Sequence, residues 1–183
     1  MRTTVGLFLA TWAIAMALPI SARSTPLAVV PSLDYARYSG AWFEIARLPN
    51  RFQAMCAGNV TAAYVQRPDG RIGVTNRCLE SSGRLREAVG VARRVDGEPS
   101  SVLKVRFAPA VLSFLPMVWG DYQVLALGQD YDYAMVGSPN RSYLWVLSRT
   151  PTMESRVYQQ IITQAESQGF EVSALVETEH TTR

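Results

Sequence analysis

The stretch Tyr38-Ser-Gly-Ala-Trp-Phe-Glu-Ile-Ala-Arg-Leu-Pro49 decides the fold of this chain, because it joins a glycine to an extended apolar run. Gly40 permits a sharp turn or a close approach of another segment. Alternate residues of the run, beginning with Trp42, then share one face of a strand. A tryptophan at the start of a strand is well placed to plug the narrow end of a closed sheet. Burial in an ordinary edge strand is the alternative.

Residues 1–22 have the pattern of a secretory signal peptide. Arg2 supplies the positive charge, residues 5–18 form an apolar core too short to span a bilayer comfortably, and Ala22 ends a plausible cleavage region. An uncleaved membrane anchor is the alternative. No cysteine lies near residue 22, which argues against the lipid-modified N-terminus of a bacterial lipoprotein. We therefore expect an exported chain, periplasmic or secreted, in which residues 23–183 form a single domain.

The two cysteines, Cys56 and Cys78, predict a disulfide, because an exported chain with an even cysteine count usually pairs them. A metal site is not expected, since the single histidine, His180, lies in the C-terminal tail and two thiolates do not complete a zinc shell. The formal net charge of +3 is scattered without a basic stripe, so no nucleic-acid partner is predicted. No cofactor is expected.

Eight short apolar runs separated by turn signals, with no helix between them, predict an all-β domain. The predicted strands are 41–48, 60–66, 71–79, 85–95, 101–107, 122–127, 133–137 and 143–148. Pro68-Asp-Gly70 is a turn signal, and the hairpin that it makes brings Cys56 and Cys78 near each other. Such a series indicates an antiparallel meander, closed as a barrel or packed as a sandwich.

After the last strand the apolar residues recur every three or four positions, which predicts one amphipathic helix. Thr152 can cap it, and Gly169 fits the position after its end. Its apolar positions are Met153, Val157, Ile161, Ile162 and Ala165. A single helix after eight strands is expected to lay this face on the outside of the sheet. A short strand around residues 170–176 follows, and the polar tail, residues 177–183, is expected to fray.

Three motifs in this order resemble those of the lipocalins, most closely the bacterial outer-membrane branch related to apolipoprotein D. They are Gly40-Ala-Trp42, Asp130-Tyr-Asp-Tyr-Ala134, and Tyr143-Leu-Trp-Val-Leu-Ser-Arg-Thr-Pro151. The second departs from the family pattern, since the threonine of its usual Thr-Asp-Tyr form is missing. The likeness covers about residues 33–176.

The resemblance implies an eight-stranded up-and-down antiparallel β-barrel, the lipocalin calyx, with one C-terminal α-helix packed outside. It also implies that Arg149 packs across Trp42 at the closed end, which gives these two residues and Gly40 a structural role. By the same resemblance the ligand is a fatty acid or lysophospholipid, the function lies in membrane maintenance or stress, and the location in a Gram-negative bacterium is the periplasm.

Strand alternation then gives the residues expected to face the interior and bind the ligand. They are Ala46, Leu48, Ala62, Tyr64, Val74, Asn76, Ala88, Val105, Phe107, Tyr122, Val124, Ala134, Val136, Tyr143, Trp145 and Leu147. This set is mainly apolar, which suits an acyl chain, and Asn76 with the tyrosine hydroxyls could orient a head group. The alternative is that these side chains simply fill the barrel.

Glu44 is an inward carboxylate near the base, which is costly unless it is paired. An inward arginine, with Arg86 as one candidate, or a cationic group of the ligand could pair with it. A twist at the strand end that lets the carboxylate reach water is the third possibility.

Residues 108–119 connect the fifth and sixth predicted strands with two prolines and almost no polar side chain. In the lipocalin arrangement this connection lies at the open mouth. We expect it to form a lid or a membrane-docking surface through Leu112, Phe114, Leu115 and Trp119. The alternative is a loop folded back onto its own barrel.

The sequence predicts no enzyme. It contains no Gly-x-Ser-x-Gly and no glycine-rich phosphate loop, and its lone histidine leaves no Ser–His pair in a pocket. No axial histidine or cysteine for haem faces the predicted interior. The predicted function is therefore an exported carrier that buries a lipid. The alternative is a non-catalytic module that docks to a membrane or a protein through its apolar rim.

Overall fold

Nine strands form one sheet that closes on itself in a computed structural model, which describes residues 25–181; the predicted signal peptide lies outside these residues. The strands are β1 Gly40–Arg47, β2 Cys56–Gln66, β3 Ile72–Glu80, β4 Leu85–Arg94, β5 Val102–Arg106, β6 Gly120–Leu127, β7 Tyr133–Gly137, β8 Leu144–Ser148 and β9 Val176–Glu177. The helices are α1 Tyr35–Tyr38 and α2 Ser155–Ser167.

The barrel is closed by β1, which pairs antiparallel with β2 on one side and with β8 on the other. Each of the strands β2 to β7 pairs antiparallel with the next one in sequence, so that the series ends at β8. This order confirms the predicted eight-stranded up-and-down barrel. β1 and β2 pair only from Gly40 to Phe43. Beyond this point β9 pairs with β1, at Ala46 and Arg47.

The two ends of the barrel differ. At the lower end, where β1 begins, α1 lies next to the interior, and its N-cap Asp34 accepts hydrogen bonds from the backbone N–H groups of Ala36 and Arg37. Leu33 and Tyr38 on either side of this cap are buried in the inner core. Residues 33–38, which precede the first predicted strand, are therefore part of the barrel core, which the sequence did not indicate. The upper end carries the loop 48–55 and the connection 107–119.

A register shift in β1 between Glu44 and Ala46 changes which residues face inward. Ala46 and Leu48 join the outer core beneath α2, whereas Trp42 stays in the inner core. The expectation that Ala46 and Leu48 line the interior is therefore wrong, because the bulge rotates the upper part of β1 by one side-chain position.

The helix α2 packs on the outer face of β6, β7 and β8, as predicted, with Ile161 and Ala165 fully buried against Met135 and Val146. It begins at Ser155 after an N-cap Glu154 that makes no side-chain bond, so Thr152 is not its cap. Gly169 follows the helix with a φ of +84°, as its position after the last turn requires.

The C-terminal tail is bonded instead of frayed. Thr178 N donates to Ile45 O at 2.9 Å, and Asn59 N donates to Glu179 O at 2.8 Å. Thr181 N donates to the Asn59 side chain at 2.8 Å. The tail thus runs between β1 and β2 at the upper end, where these two strands have parted. Among residues 25–181, no helix is long and apolar enough to cross a bilayer.

Candidate functional site

The lower end of the interior is closed by Trp42 and Arg149. The Arg149 guanidinium carbon lies 3.8 Å from the centroid of the fully buried Trp42 ring. Arg149 donates to the carbonyls of Arg37, Ala41 and Tyr131, so its planar fork is held on the ring. Gly40 adopts a φ of +98°, and a Cβ there would stand 3.3 Å from Arg149 Nη1. Burial lowers the pKa of the Arg149 guanidinium from its ordinary value.

Above this base, three buried tyrosines fill the middle of the barrel. The Tyr38 and Tyr122 hydroxyls are 2.6 Å apart, and the Tyr122 hydroxyl donates to that of Tyr64 at 2.9 Å. Burial raises the pKa of Tyr64 to about 12, and it raises the pKa values of Tyr38 and Tyr122 well above the ordinary value of 10.0. The three hydroxyls are therefore neutral, and we call them the tyrosine layer.

The interior beside the tyrosine layer is almost completely packed. A cavity of about 10 Å³ remains there, roughly the space that a single water molecule needs. Its lining residues are Tyr38, Tyr64, Ile72, Val74, Ala92, Leu103, Val105 and Tyr122. The cavity beside the tyrosine layer is therefore too small for an acyl chain.

The upper interior is lined by smaller and more exposed side chains. Asn76 on β3 pairs with Ala62 on β2 and with Ala88 on β4, so the three side chains share the inward face. Ala62 and Asn76 are half-buried, and Ala88 is exposed. The Asn76 Oδ1 atom is buried and accepts no hydrogen bond from the described residues. This part of the wall is more accessible than the tyrosine layer and contains one polar atom without a partner among the described residues.

Aromatic side chains stand on the opposite side of the opening. The rings of Tyr143 and Trp145 stack with centroids 5.8 Å apart and planes 6° apart. Phe52 from the loop 48–55 extends this group, with its centroid 5.8 Å from that of Tyr143. Trp145 is half-buried and packs on the inner core. A chain that enters the barrel would contact these rings first.

Glu44 is only 2% exposed and is fully bonded. Arg47 Nη1 donates to it at 2.8 Å, Thr178 Oγ1 at 2.6 Å, and Gln53 Nε2 at 2.6 Å. The suggested pairing of Glu44 with Arg86 is wrong. Arg86 lies near the turn of the β3–β4 hairpin and forms an ion pair with Glu80 at 3.4 Å. Gln53 Oε1 also accepts from Trp145 Nε1 at 2.8 Å, so the carboxylate holds the loop 48–55 against the aromatic group.

Apart from Ala46 and Leu48, the predicted inward residues divide into two groups, with Phe107 as a separate case. Those buried in the inner core are Tyr64, Val74, Tyr122, Val124, Ala134, Val136 and Leu147. Those packed partly on it or standing above it are Ala62, Asn76, Ala88, Val105, Tyr143 and Trp145. Phe107 belongs to neither group: it is 43% exposed, and its ring covers Gly90, where a Cβ would come within 2.6 Å of it.

The predicted disulfide is present and joins Cys56 on β2 to Cys78 on β3, with Cα atoms 5.6 Å apart. It lies near the upper ends of both strands. On the chain-entropy model a loop of this length contributes about 3 kcal/mol to stability. The bridge therefore keeps the two strands together beside the opening.

The connection 107–119 consists of two short 3-10 turns, Ala110–Leu112 and Pro116–Val118. Phe114 is 76% exposed, but the most accessible side chains also include Val111 and Met117, at 75% and 86%, which the sequence did not single out. Leu112 and Leu115 are half-buried. Trp119 is half-buried, and the guanidinium groups of Arg93 and Arg106 lie 4.6 and 5.2 Å from its ring centroid.

Sequence reasoning missed several residues of the site. Tyr38 precedes the first predicted strand, Gln53 lies between the first two predicted strands, and Thr178 lies in the tail. A polar side chain next to apolar neighbours, as in Arg51-Phe-Gln-Ala54, was the available signal for Gln53. No local pattern indicates Thr178, because its partner Glu44 is 134 residues away.

Comparison with known proteins places this barrel in a family. The model of the lipocalin-like domain matches residues 33–180, and the chain belongs to the lipocalin-like family. It is 41% identical to temperature-induced lipocalin-1 of Arabidopsis thaliana over 152 residues, which cover 82% of this chain and 81% of that one. It is 36% identical to the outer membrane lipoprotein Blc of Citrobacter freundii over 169 residues, which cover 90% and 92%. The predicted resemblance to the bacterial branch is thereby confirmed.

A solved structure has the same fold at low identity. Insecticyanin from the tobacco hornworm Manduca sexta superposes with a TM-score of 0.65 and 17% identity, over 87% of each chain. At this identity the likeness concerns the fold alone.

Proposed function

We propose that this protein is an exported carrier that holds the acyl chain of a fatty acid or lysophospholipid in the upper half of its barrel. The observation that supports this most directly is the change along the inward face, from the packed tyrosine layer to the half-exposed wall around Ala62 and Asn76. A lipid would enter past Tyr143 and Trp145 and end on the tyrosine layer. Its binding needs no catalytic group.

A polar group of the ligand can satisfy Asn76. The Oδ1 atom of this residue is buried and needs a hydrogen-bond donor. The hydroxyl of a lysophospholipid glycerol or of a protonated carboxyl group provides one. The apolar remainder of the wall then gives affinity, and Asn76 gives orientation.

Chain length offers a sharp test of this geometry. Each methylene buried contributes about 0.8 kcal/mol, so affinity should rise about fourfold per added methylene. The rise should stop at the length at which the chain end reaches the tyrosine layer. Titration of a series of fatty acids, followed by quenching of Trp145 fluorescence, measures both the slope and the plateau.

Substitutions at Trp145 and Asn76 test which side chains report and orient the bound lipid. Trp145→Phe should abolish the quenching while a competing fluorescent fatty acid still binds, and Trp119→Phe is the matched control that keeps it. Asn76→Leu should weaken lysophospholipid binding more than it weakens binding of a plain alkane chain. The proposal fails if no fatty acid or lysophospholipid shows saturable binding.

A second candidate function is docking of the rim to a membrane surface. The observation that favours it is the cluster of exposed apolar side chains on the connection 107–119, namely Val111, Phe114 and Met117. Replacement of Phe114 and Met117 by serine should remove binding to phosphatidylcholine vesicles and leave fatty-acid titrations unchanged. Loss of both activities together would argue against separate surfaces.

A further inference from the structure

A groove of about 390 Å³ lies on the wall of the barrel, at the point where the pairing of β4 with β5 ends. Arg106 pairs with Val91, and Val91 pairs with Gly73, so these residues share one face of the sheet. The neighbouring set, Ile72, Ala92 and Val105, packs into the inner core, which places the first set on the outer face. The groove is lined by Arg67, Arg71, Val89, Gly90, Val91, Arg106, Phe107, Ala108, Pro109 and Ala110.

The charges at this groove are unbalanced. Its lining contains three arginines and no acidic residue. Arg67 pairs with Asp69 at 3.2 Å, and both side chains are about half exposed. Neither Arg71 nor Arg106 forms an ion pair with any residue in the described range 25–181.

Two other acidic side chains of the neighbouring strands are also engaged in ion pairs. Glu87 on β4 pairs with Arg77 at 2.7 Å, and Asp121 on β6 pairs with Lys104 at 2.5 Å. Of the three groove arginines, Arg67 therefore has a carboxylate partner within the described residues, and Arg71 and Arg106 form no ion pair there.

Arg106 makes this imbalance costly, because it is only 5% exposed. Its Nη1 donates to the Ala108 carbonyl, its guanidinium faces Trp119, and its Nε has no acceptor among the described residues. A buried charge without a counter-ion is unfavourable. An anion that enters the groove would relieve this cost and would also meet Arg67 and Arg71.

We propose that the groove binds the phosphate head group of an anionic phospholipid in a bilayer. Charge complementarity selects the head group, since arginine matches phosphate oxygens in number and geometry. Position selects the bilayer, because Pro109 and Ala110 of the groove continue directly into the exposed side chains of Val111, Phe114 and Met117. The inference thus rests on the second candidate function and adds selectivity for anionic lipids.

The experiment measures binding of the protein to vesicles of phosphatidylcholine alone and of phosphatidylcholine with phosphatidylglycerol in equal parts. Arg67→Gln with Arg71→Gln is the test variant, because both side chains are exposed and their loss leaves the Trp119 contacts intact. Arg84→Gln with Arg156→Gln is the matched control, which removes the same charge at exposed positions outside the groove.

We expect the parent protein and the control to prefer the vesicles that contain phosphatidylglycerol. The test variant should lose about 30-fold in affinity for them, the change expected for two arginines at an anionic surface, and should keep its affinity for phosphatidylcholine. The preference should also weaken as salt is added. Equal losses in the test and control variants would reduce the effect to net charge and overturn the inference.

Two further outcomes separate this inference from the functions on which it builds. Equal binding to both kinds of vesicle would overturn it while docking through Phe114 and Met117 remains. Saturable binding of glycerol 3-phosphate without a preference for phosphatidylglycerol would assign the groove to a free phosphate and overturn the membrane assignment. Fatty-acid titration of the same samples reports the interior site independently.

Discussion

The side-chain amide of Gln53 connects Glu44 to Trp145: its nitrogen donates to the Glu44 carboxylate at 2.6 Å, and its oxygen accepts from the Trp145 indole at 2.8 Å. One buried carboxylate therefore fixes both a loop and the principal aromatic side chain of the opening. Glu44 organises the site, since the three groups that donate hydrogen bonds to its carboxylate all belong to this chain.

Replacement of Glu44 by leucine should lower the free energy of unfolding by about 3–5 kcal/mol, because Arg47 would be left as a buried, unpaired charge. Urea unfolding of the two proteins measures the change. Glu87→Leu is the control, because its pair with Arg77 is about half exposed and should be worth at most ~1 kcal/mol. Similar losses in the two variants would contradict the assignment of Glu44 as a buried structural carboxylate.

Arg149→Lys should destabilise the barrel by about 2–3 kcal/mol, although the charge is kept. A lysine cannot donate to the three carbonyls that Arg149 now reaches, and it loses the planar stacking on Trp42. Thermal unfolding followed by near-ultraviolet circular dichroism, which reports the Trp42 environment, tests this. A lysine variant as stable as the parent would show that charge alone closes the base.

The tyrosine layer predicts a loss of stability at alkaline pH. The folded state holds the Tyr64 proton up to a pKa of about 12, whereas the unfolded chain loses it near 10. The free energy of unfolding is therefore unaffected by this group below pH ~10 and falls as the pH rises from about 10 to about 12, by roughly 3 kcal/mol for Tyr64 alone. Tyr64→Phe should reduce this slope. Urea unfolding curves at several alkaline pH values measure how the free energy of unfolding changes with pH. The same slope in Tyr64→Phe as in the parent protein would contradict the prediction.

Substitutions at two alanines distinguish the ligand-binding space inside the barrel from the packing between the barrel and α2. Ala62→Phe fills the upper interior, so it should weaken fatty-acid binding at least tenfold with little change in stability. Ala46 is fully buried between β1 and α2, and Ala46→Phe should cost about 1–3 kcal/mol through overpacking while the interior stays open. Fatty-acid titration and urea unfolding of both variants provide the comparison. The opposite pattern would mean that the site faces the helix side of the wall.

Much of the barrel could be predicted because its strands obey simple alternation. From Tyr64 to Leu147 the inward side of most strands follows from period two and one reference residue, Trp42. The prediction failed at Ala46 and Leu48 because a single inserted residue in β1 reverses the alternation, and no local signal marks that position.

The predicted site was less complete than the fold for a different reason. The partners of Glu44 come from a loop, from its own strand and from the tail, and only Arg47 is near it in sequence. The apolar character of residues 108–119 was evident from composition. Which of its side chains point outward was not, because the placement of Trp119 depends on Arg93 and Arg106 of other strands.

The hydrogen bonds of residues 178–181 connect β1 to β2 where these strands no longer pair with each other. Above Phe43 the ladder between β1 and β2 ends, and the final residues of the described chain occupy the space between these strands. Without these residues, β1 and β2 would be unconnected from Phe43 to the upper end of the barrel, and the Asn59 N–H group would lose its acceptor, Glu179 O. Water could then reach the side of any acyl chain bound in the barrel. Residues 178–181 thus hold β1 and β2 together above Phe43, and a dye attached to one of these four residues would lie beside the opening of the barrel.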